Sequence, residues 1–264
     1  MIKLSSRENP EIKRLASLLS SRREREEAGL FVVEGMRIAL DAAEAGLTAE
    51  TAFFSESFWQ RRPEECGRIA AVADRVVLLE DSLAQRIGDT KTPQGVFALC
   101  RRPAPDLSAF DGAGRYVVLS SLQDPGNVGT VIRTACALGL SGVVLSADCP
   151  DVYSPKVLRS TMGGVFTLPV WVADDLPAAI ARLRQGGGAV AAAALTETAR
   201  PISRRAMQGV RSVVIGNEGN GLAPGVIACC DRSIILPMAR PGQSLNAAVA
   251  AAIFMWELAA PAGE

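Results

Sequence analysis

The apolar positions of this chain repeat with two periods that alternate along the sequence. From Asn9 to about Leu47 their spacing is that of helices, interrupted once by the strand-like run Phe31–Gly35. Short apolar runs at Thr51–Phe54, Val76–Leu79 and Gly95–Cys100 follow, with polar helical stretches between them. The order helix, strand, helix and then further α/β alternation predicts a small α/β sandwich for the first hundred residues.

A second series of apolar runs begins after residue 115. Segments long enough for crossover helices separate these runs, which predicts an α/β fold with a mainly parallel sheet and helices on both faces. The runs are Tyr116–Leu119, Gly142–Leu145, Ala189–Leu195, Ser212–Ile215 and Ser233–Leu236. Functional loops are expected where these strands end, because ligands of such sheets bind outside the carboxyl ends of the strands.

The stretch between the two series has the composition of an exposed linker. Arg101–Asp106 and Asp111–Gly114 are rich in proline, glycine and charge. We therefore predict two domains, residues 1–105 and 106–264. A chain of 264 residues accommodates both, since domains usually hold about 100 to 150 residues.

The composition narrows the class of protein. Hydrophobic residues make up 48% of the chain, with no long uncharged apolar run and no apolar leader after Met1. We expect a soluble cytoplasmic protein that does not insert into a membrane. The six cysteines form no Cys-x-x-Cys pair, so neither a zinc site nor a disulfide framework is expected, and no metal is predicted.

The chemistry is narrowed further by the absence of histidine. This absence excludes the Ser-His-Asp triad, the His-Glu-x-x-His zinc site and the commonest general base. Lysine plus arginine equals aspartate plus glutamate at 28 each, so nucleic-acid binding would need a local basic patch. Three clusters are candidates, although such clusters are also common on solvated faces. They are Arg22–Arg25, Lys156 with Arg159, and Arg204–Arg205 with Arg211.

The first of three distinctive loops follows Leu119 and passes through Asp124-Pro-Gly-Asn-Val-Gly129 into a helix. Asn127 lies near the helix start, where its side chain can cap the helix or point into a cleft. Arg133 follows six residues later, as a possible functional cation or a surface ion-pair residue. An apolar helix face is predicted from Val128, Val131, Ile132 and Ala135.

The second loop, Gly216-Asn-Glu-Gly-Asn-Gly221, follows the strand that ends at Ile215. Its glycines permit positive φ angles and close approach of a ligand to the backbone, although a tight structural turn would also explain them. Neither Gly-x-x-x-x-Gly-Lys-Ser/Thr nor Gly-x-Gly-x-x-Gly is present. The loop therefore gives no indication of a nucleoside triphosphate or a Rossmann-type NAD site.

The third loop runs from Leu236-Pro-Met238 to a helix that begins near Ser244. Ser244 is predicted to cap this helix, with Asn246 in its first turn. A buried apolar stripe is expected at positions with helical spacing. These are Leu245, Val249, Ile253 and Trp256.

The three loops, in this order, resemble the signature motifs of the SpoU family of RNA ribose 2′-O-methyltransferases. Asp124–Gly129 with Arg133 resembles motif one, Gly216–Gly219 with Gly221 resembles motif two, and Pro237-Met238 with Ser244-Leu-Asn246 resembles motif three. The segments Ser154–Ser160 and Gly163–Phe166 resemble the connection between motifs one and two. The residue before Ser244 is Gln243, where an acidic residue or a different polar residue is expected. This departure puts substrate contacts there in doubt.

The amino-terminal half is similar to the family's RNA substrate-binding domain, which has a ribosomal-protein-like α/β fold. Asn9–Lys13, Phe31–Gly35 with Arg37, and Thr92–Gly95 carry this likeness. The resemblance implies that residues 1–105 capture RNA and that residues 106–264 form a catalytic domain with a trefoil knot. Because this additional domain is typical of members that act on rRNA, rRNA is the expected substrate, with tRNA as the alternative.

The resemblance also implies an S-adenosylmethionine pocket formed by the knot loops. Its cofactor-binding residues would come from four stretches of the second half: Leu195, Thr196, Gly216, Asn217, Glu218, Gly219, Leu236, Met238, Ser244 and Leu245. The catalytic residues would be Arg133, Asn127, Glu218, Ser244 and Asn246. SpoU-like enzymes are homodimers with composite active sites, so a twofold dimer of the second domain is implied.

Arg133 would take part in the step that activates the ribose hydroxyl. It would either hold the adjacent phosphate or act as the base, and positioning is favoured because a guanidinium stays protonated at ordinary pH. The other catalytic side chains would orient Arg133, the ribose and the cofactor. Two different functions stay open at this stage: a noncatalytic RNA-binding or ribosome-assembly protein that kept the fold, and a metabolic α/β enzyme that binds another nucleotide.

Overall fold

The computed structural model describes residues 2–90, 92–103, 112–240 and 243–259. It divides the chain into two compact units. The first unit comprises Met1–Ala104 together with Asp151–Phe166, and the second comprises Pro105–Pro150 together with Thr167–Glu264. The predicted linker falls largely on residues 104–111, which lie outside the described ranges.

Helices and strands alternate along most of the chain. In order they are β1 (Ile2–Leu4), α1 (Pro10–Ser20), α2 (Arg22–Ala28), β2 (Leu30–Glu34), α3 (Met36–Glu44), β3 (Ala49–Ser55), α4 (Glu56–Arg61), α5 (Pro63–Ala70), β4 (Ala73–Leu79), α6 (Asp81–Ile87), β5 (Val96–Arg101), β6 (Tyr116–Leu119), α7 (Pro125–Ala137), β7 (Gly142–Ser146), α8 (Pro155–Thr161), a 3-10 turn (Gly164–Phe166), β8 (Val170–Ala173), α9 (Leu176–Gln185), β9 (Ala189–Ala193), β10 (Arg200–Pro201), α10 (Arg204–Met207), β11 (Val210–Ile215), α11 (Pro224–Ala228), β12 (Arg232–Ile235) and α12 (Ala247–Ala259).

The first unit is built on a mixed sheet with the strand order β1-β4-β3-β5-β2 among its described residues. β3 pairs in parallel with β4 and antiparallel with β5. The helical pattern before β2 forms two helices rather than one. Ser21 separates them, because its N–H closes α1 on Ser17 O and its side chain accepts from Glu24 N as the cap of α2.

The second unit contains a parallel sheet with the strand order β10-β12-β9-β11-β6-β7-β8. The five strands predicted after residue 115 are all present, which confirms the mainly parallel sheet, whereas β8 and the two-residue β10 were not predicted. The apolar face of α7 is buried as predicted. Within the described ranges, no helix has both the length and the apolar character that crossing a membrane requires.

Residues 151–166 belong to the first unit although they follow β7 in sequence. A buried ion pair joins them to α2: Arg25 Nε donates to Asp151 Oδ2 at 2.7 Å, and both side chains are 4% exposed. Arg25 Nη1 also donates to Leu18 O at 2.7 Å. The ion pair therefore links α1, α2 and the returning segment.

The substitution Asp151→Ala is expected to lower the free energy of unfolding by about 3–5 kcal/mol, because it leaves the Arg25 charge buried without its partner. Urea unfolding followed by circular dichroism measures the loss. The matched control is Glu27→Ala, which removes the partner of Arg23 from an exposed ion pair on the same helix and should cost less than about 1 kcal/mol. Equal losses in the two variants would contradict the role given to the buried pair.

Candidate active site

Four neighbouring strands of the second unit end at one edge of the sheet. They are β12, β9, β11 and β6, and every pair of neighbours among them is parallel. Most of the predicted site residues lie in the loops that follow these strands. The others lie at the start of α7, further along α7, and at the start of α12. Because carboxyl ends of parallel strands meet at one edge, residues far apart in sequence come together there.

The start of α7 is fixed by Asp124 and Pro125. The Asp124 carboxylate accepts from Gly126 N at 2.6 Å and from Asn127 N at 3.1 Å, and Pro125 occupies the first helical position. Asn127 is therefore not the cap, which decides between the two possibilities that the sequence left open. Its side chain is available for contacts outside the helix.

A chain of hydrogen bonds joins one predicted catalytic residue from each motif. Asn127 Nδ2 donates to Glu218 Oε1 at 2.8 Å, and Asn246 Nδ2 donates to Asn127 Oδ1 at 3.0 Å. These two bonds fix both ends of the Asn127 carboxamide and hence its orientation. The structure thus brings Asn127, Glu218 and Asn246 together, and their catalytic roles stay a prediction.

Glu218 is held as a carboxylate. Its Oε2 also accepts from Gln123 N at 3.2 Å. Partial burial alone would raise the pKa of this carboxyl, but the hydrogen bonds from Asn127 and from backbone N–H groups outweigh that effect, so the pKa is lowered. At neutral pH, Glu218 is therefore a hydrogen-bond acceptor and not an acid.

The Gly-rich loop after β11 is tied to the loop after β6. Asn217 Nδ2 donates to Ser121 O at 2.8 Å, while Asn217 Oδ1 accepts from Gly219 N at 2.8 Å. A Cβ at Gly216 would lie 2.4 Å from the carbonyl carbon of Gly221, and Gly221 has a φ of 67°. Close backbone approach at Gly216 and positive φ at Gly221 explain these two glycines.

The start of α12 differs from the prediction. Asn246, not Ser244, caps the helix: its Oδ1 accepts from Ala248 N at 2.9 Å and from Val249 N at 3.3 Å. Ser244 is exposed and forms no hydrogen bond with any residue in the described ranges. One side chain, Asn246, therefore caps α12 and also holds Asn127.

The predicted buried stripe of this helix was wrong. Leu245, Val249, Ile253 and Trp256 are 39%, 49%, 38% and 66% exposed. The buried face of α12 instead carries three alanines and three large apolar residues: Ala247, Ala248, Ala251, Phe254, Met255 and Leu258. The exposed stripe borders an open groove of about 500 Å³ that Asn127, Thr130 and Asn246 also line.

The predicted cofactor positions lie at the same edge of the sheet. Leu195 follows β9 and is 85% exposed, Met238 follows β12 and is 36% exposed, and Thr196 and Leu236 are half-buried. These side chains are apolar or uncharged, and the neighbouring Gly216–Gly219 offers backbone donors and acceptors. Such a lining suits an adenosyl group, which presents a flat apolar face and a polar edge.

Arg133 does not join the hydrogen-bond chain. It lies on an exposed face of α7, and no described residue forms a hydrogen bond or an ion pair with its guanidinium. Because six residues of an α-helix turn through about 600°, Arg133 points away from Asn127. Within one chain, neither Arg133 nor Ser244 forms a hydrogen bond with the other three predicted catalytic residues.

Sequence reasoning missed a second hydrogen-bond network beneath motif one. Ser121 has a φ of 57°, and its N–H donates to Ser146 Oγ at 2.8 Å; Ser146 Oγ in turn donates to Asp148. Hydrogen bonds from the hydroxyls of Ser121 and Ser146 lower the pKa of Asp148. Asp148 lies just after β7, the neighbour of β6, so the strand-end rule could have identified it.

Comparisons with known proteins agree with this architecture. Residues 114–256 match the family model described as SpoU rRNA Methylase family, and residues 9–98 match the MRM3-like substrate binding domain. The chain is 30% identical to the 23S rRNA (guanosine(2553)-2′-O)-methyltransferase RlmP of Bacillus subtilis over 98% of this chain and 99% of that protein. It is 29% identical to the 23S rRNA (uridine(2479)-2′-O)-methyltransferase of Streptomyces viridochromogenes, over 94% and 89% of the two chains.

A solved structure gives the same class. The SpoU methyltransferase AviRb from Streptomyces viridochromogenes, in complex with the cofactor AdoMet, superposes with a TM-score of 0.82 at 27% identity, over 95% of this chain and 97% of that one. The fold and the site thus define an α/β methyltransferase. The chain belongs to the SpoU rRNA methylase family.

The lowered pKa of Glu218 gives the site a pH signature. A carboxyl whose pKa is depressed on folding contributes stability that is present above its ordinary value of 4.5 and is lost as the pH falls through the lowered value. Wild type should therefore be more stable than Glu218→Gln near neutral pH, and the difference should disappear in acid. Urea midpoints measured across this range test the expectation, with Glu197→Gln as the control at an exposed glutamate of the same unit. A pH-independent difference for Glu218→Gln would contradict it.

Proposed function

We propose that this protein transfers a methyl group from S-adenosylmethionine to a ribose 2′-hydroxyl of rRNA, most specifically of the 23S type that the named relatives modify. The observation that carries the proposal is the chain of hydrogen bonds Asn246–Asn127–Glu218 at the carboxyl edge of the sheet. It joins the three motifs of a family that methylates rRNA. The proposal includes a cytoplasmic location, because the relatives that match nearly the whole chain are bacterial rRNA methyltransferases.

The cofactor would lie against the loops after β9, β11 and β12. Leu195, Leu236, Met238 and Leu245 would contact the adenosyl group, and the backbone of Gly216–Gly219 would bind its polar edge, with Thr196 and Ser244 as further donors. When bound, S-adenosylmethionine supplies a methyl group that its sulfonium has already activated. The chain must then place the ribose oxygen and receive or release one proton.

Within this step, Asn127 and Glu218 position the ribose. The Asn127 carboxamide is fixed by Glu218 and Asn246, so its orientation is set before RNA binds, which lowers the cost of ordering the site. The lowered pKa makes Glu218 a poor base, and its oxygens serve as acceptors. Arg133, which stays protonated, would hold the neighbouring phosphate, with the hydroxyl proton released to that phosphate or to water.

A second copy of the chain would complete the site. Val249, Ile253 and Trp256 form an exposed apolar stripe beside Asn127 and Asn246, and apolar surface of this kind is favourably buried in a twofold interface. Arg133 lies outside its own chain's network. We propose that Arg133 of one subunit acts with Asn127, Glu218 and Asn246 of the other.

The two predicted domains would then have different roles. Residues 1–105 would capture RNA and residues 106–264 would perform catalysis, through a trefoil knot formed around the loops after β11 and β12. The path of the chain supports the knot: it leaves β12 and reaches the start of α12 beside Asn127, which follows β6, three strands away in the sheet. In the proposed knot, this return would pass the loops after β9 and β11.

The substitution Arg133→Ala is expected to reduce methyl transfer to rRNA by at least about 100-fold, because it removes the cation that positions the phosphate. Binding of S-adenosylmethionine, measured by calorimetry, should be unchanged, since Arg133 lies away from the cofactor loops. Arg182→Ala, at an exposed arginine on α9 of the same unit and outside the three basic clusters, is the control and should keep its activity. If Arg133→Ala transferred methyl groups to rRNA at the wild-type rate, this would contradict the role assigned to the residue.

Mixed dimers test the composite site. Arg133→Ala and Asn127→Ala should each be inactive alone, but a mixture refolded together should regain part of the activity, because one of the two sites in a mixed dimer receives both intact residues. An inactive mixture that sedimentation confirms to be dimeric would contradict the exchange of Arg133 between subunits.

The substitution Trp256→Glu is expected to convert the dimer to a monomer, because it places a charge in the centre of the proposed apolar interface. Sedimentation velocity measures the change. Ile2→Glu adds the same charge at another exposed apolar residue, 56% exposed in the first unit, and should leave the dimer intact. Equal sedimentation of both variants and wild type as monomers would exclude the proposed interface.

A further inference from the structure

The first unit contains a cavity of about 350 Å³ that methyl transfer at the sheet edge does not use. Its wall is formed by the junction of β2 and α3, by residues of the loop before β5, and by the end of α8 with Met162. The volume lies within the range of small-molecule pockets, about 300–1,000 Å³. Arg159 and Met162 in this wall lie outside residues 9–98, the part of the chain that matches a substrate-binding domain.

The charged groups within the wall largely neutralise one another. The Glu34 carboxylate, 3% exposed, accepts from Asp89 N and from Thr90 Oγ1, both at 2.9 Å. Arg159 Nη2 donates to Asp89 Oδ2 at 2.8 Å. Because hydrogen bonds fix these charged side chains and their charges largely cancel, the cavity favours an uncharged group.

One donor in this wall lacks an acceptor. Arg159 Nη1 is buried without a hydrogen-bond partner among the described residues, and Glu34 Oε2 lies 4.0 Å away. Buried donors are almost always paired, so an exception calls for an explanation. Since the Arg159 side chain is 34% exposed, it has room to turn Nη1 toward a carbonyl oxygen of a bound ligand.

The apolar part of the cavity includes Met162, which is 57% exposed and has a φ of 49°. Non-glycine residues in this strained region concentrate at functional sites, and a thioether adapts readily to a flat ligand. Ile38 supplies a second, buried apolar side chain. Arg37, 82% exposed and 3.1 Å from Asp41, supplies a cation beside the cavity.

From these observations we propose that the cavity binds one unstacked nucleotide of the RNA substrate. The base contacts Ile38 and Met162, a base carbonyl accepts from Arg159, and the phosphate pairs with Arg37. Unpaired bases in loops and bulges are the usual targets of sequence-specific RNA recognition. The proposal rests on the proposed function for the identity of the RNA, and it places a specificity site within the first unit, which contains none of the proposed methyl-transfer residues.

Photo-crosslinking tests the site directly. Full-length protein is irradiated with an unmodified 23S rRNA transcript that contains 4-thiouridine, and the crosslinked peptides are identified by mass spectrometry. Crosslinks at Arg37–Asp41 and Arg159–Gly163 are expected. Their absence, when crosslinks form elsewhere on the protein, would overturn the proposal, as would their loss on addition of excess free nucleoside monophosphates, which would indicate a site for free nucleotides.

Steady-state kinetics on the same rRNA separates a binding role from a structural one. Arg37→Ala should raise the KM for rRNA about tenfold, as expected for loss of one phosphate contact, with kcat and cofactor affinity unchanged. The matched control is Arg62→Ala, since Arg62 is also an exposed arginine of the first unit that pairs with a carboxylate within one helical turn, and it lies outside the three basic clusters.

The variant Met162→Gly excludes a folding artefact. Glycine accepts a φ of 49° without strain, so the thermal midpoint should be preserved while the KM for rRNA rises. If both variants have the KM of Arg62→Ala, the cavity is not a nucleotide site and the proposed function still stands. If wild type transfers no methyl group, the proposed function fails. In that case the crosslinks alone decide whether the cavity binds RNA.

Discussion

The site depends on one constraint, the parallel alignment of four neighbouring strands. β12, β9, β11 and β6 all point the same way, so the loops that follow them meet at one edge of the sheet. Asn127 and Asn246 are 119 residues apart in sequence but 3.0 Å apart at their side-chain atoms. If β6, β11 or β12 were antiparallel to the others, the loop after it would lie at the opposite edge, and the hydrogen-bond chain could not form.

At this edge, helix capping and site formation share the same residues. Asp124 satisfies the first N–H groups of α7, which frees the Asn127 side chain for Glu218 and Asn246. Asn246 caps α12 through Oδ1 and orients Asn127 through Nδ2. The left-handed Ser121, held by Ser146 and by Asn217, sets the path of the loop that leads to α7. Local stability and the geometry of the site are therefore coupled.

Much of this arrangement could be predicted from the sequence. Apolar runs identified the strands of the parallel sheet, and the strand-end rule with the three motifs identified Asn127, Glu218 and Asn246. The helical spacing of apolar residues also located the apolar stripe of α12 correctly, but the prediction placed that stripe in the core. The spacing of Val249, Ile253 and Trp256 shows that one face is apolar, but it does not show whether that face packs within the chain or remains open.

Other features depended on tertiary contacts that no local pattern encodes. Ser244 and Asn246 are both good caps by residue type, and only the position of Asn127 shows why Asn246 takes that place. The return of residues 151–166 to the first unit rests on a buried pair, Arg25 and Asp151, whose members are 126 residues apart. Asp148 was missed for a different reason: the strand-end rule covers its position after β7, but a single acidic residue there has no distinctive spacing.

The central claim is the transfer of a methyl group to a ribose oxygen of rRNA. The most direct measurement incubates the protein with methyl-labelled S-adenosylmethionine and unmodified 23S rRNA, digests the product to nucleosides and identifies the labelled nucleoside by mass spectrometry. The account predicts label on the ribose of one nucleoside, with none on a base. Label on a base, or no transfer to rRNA when tRNA is labelled under the same conditions, would contradict it.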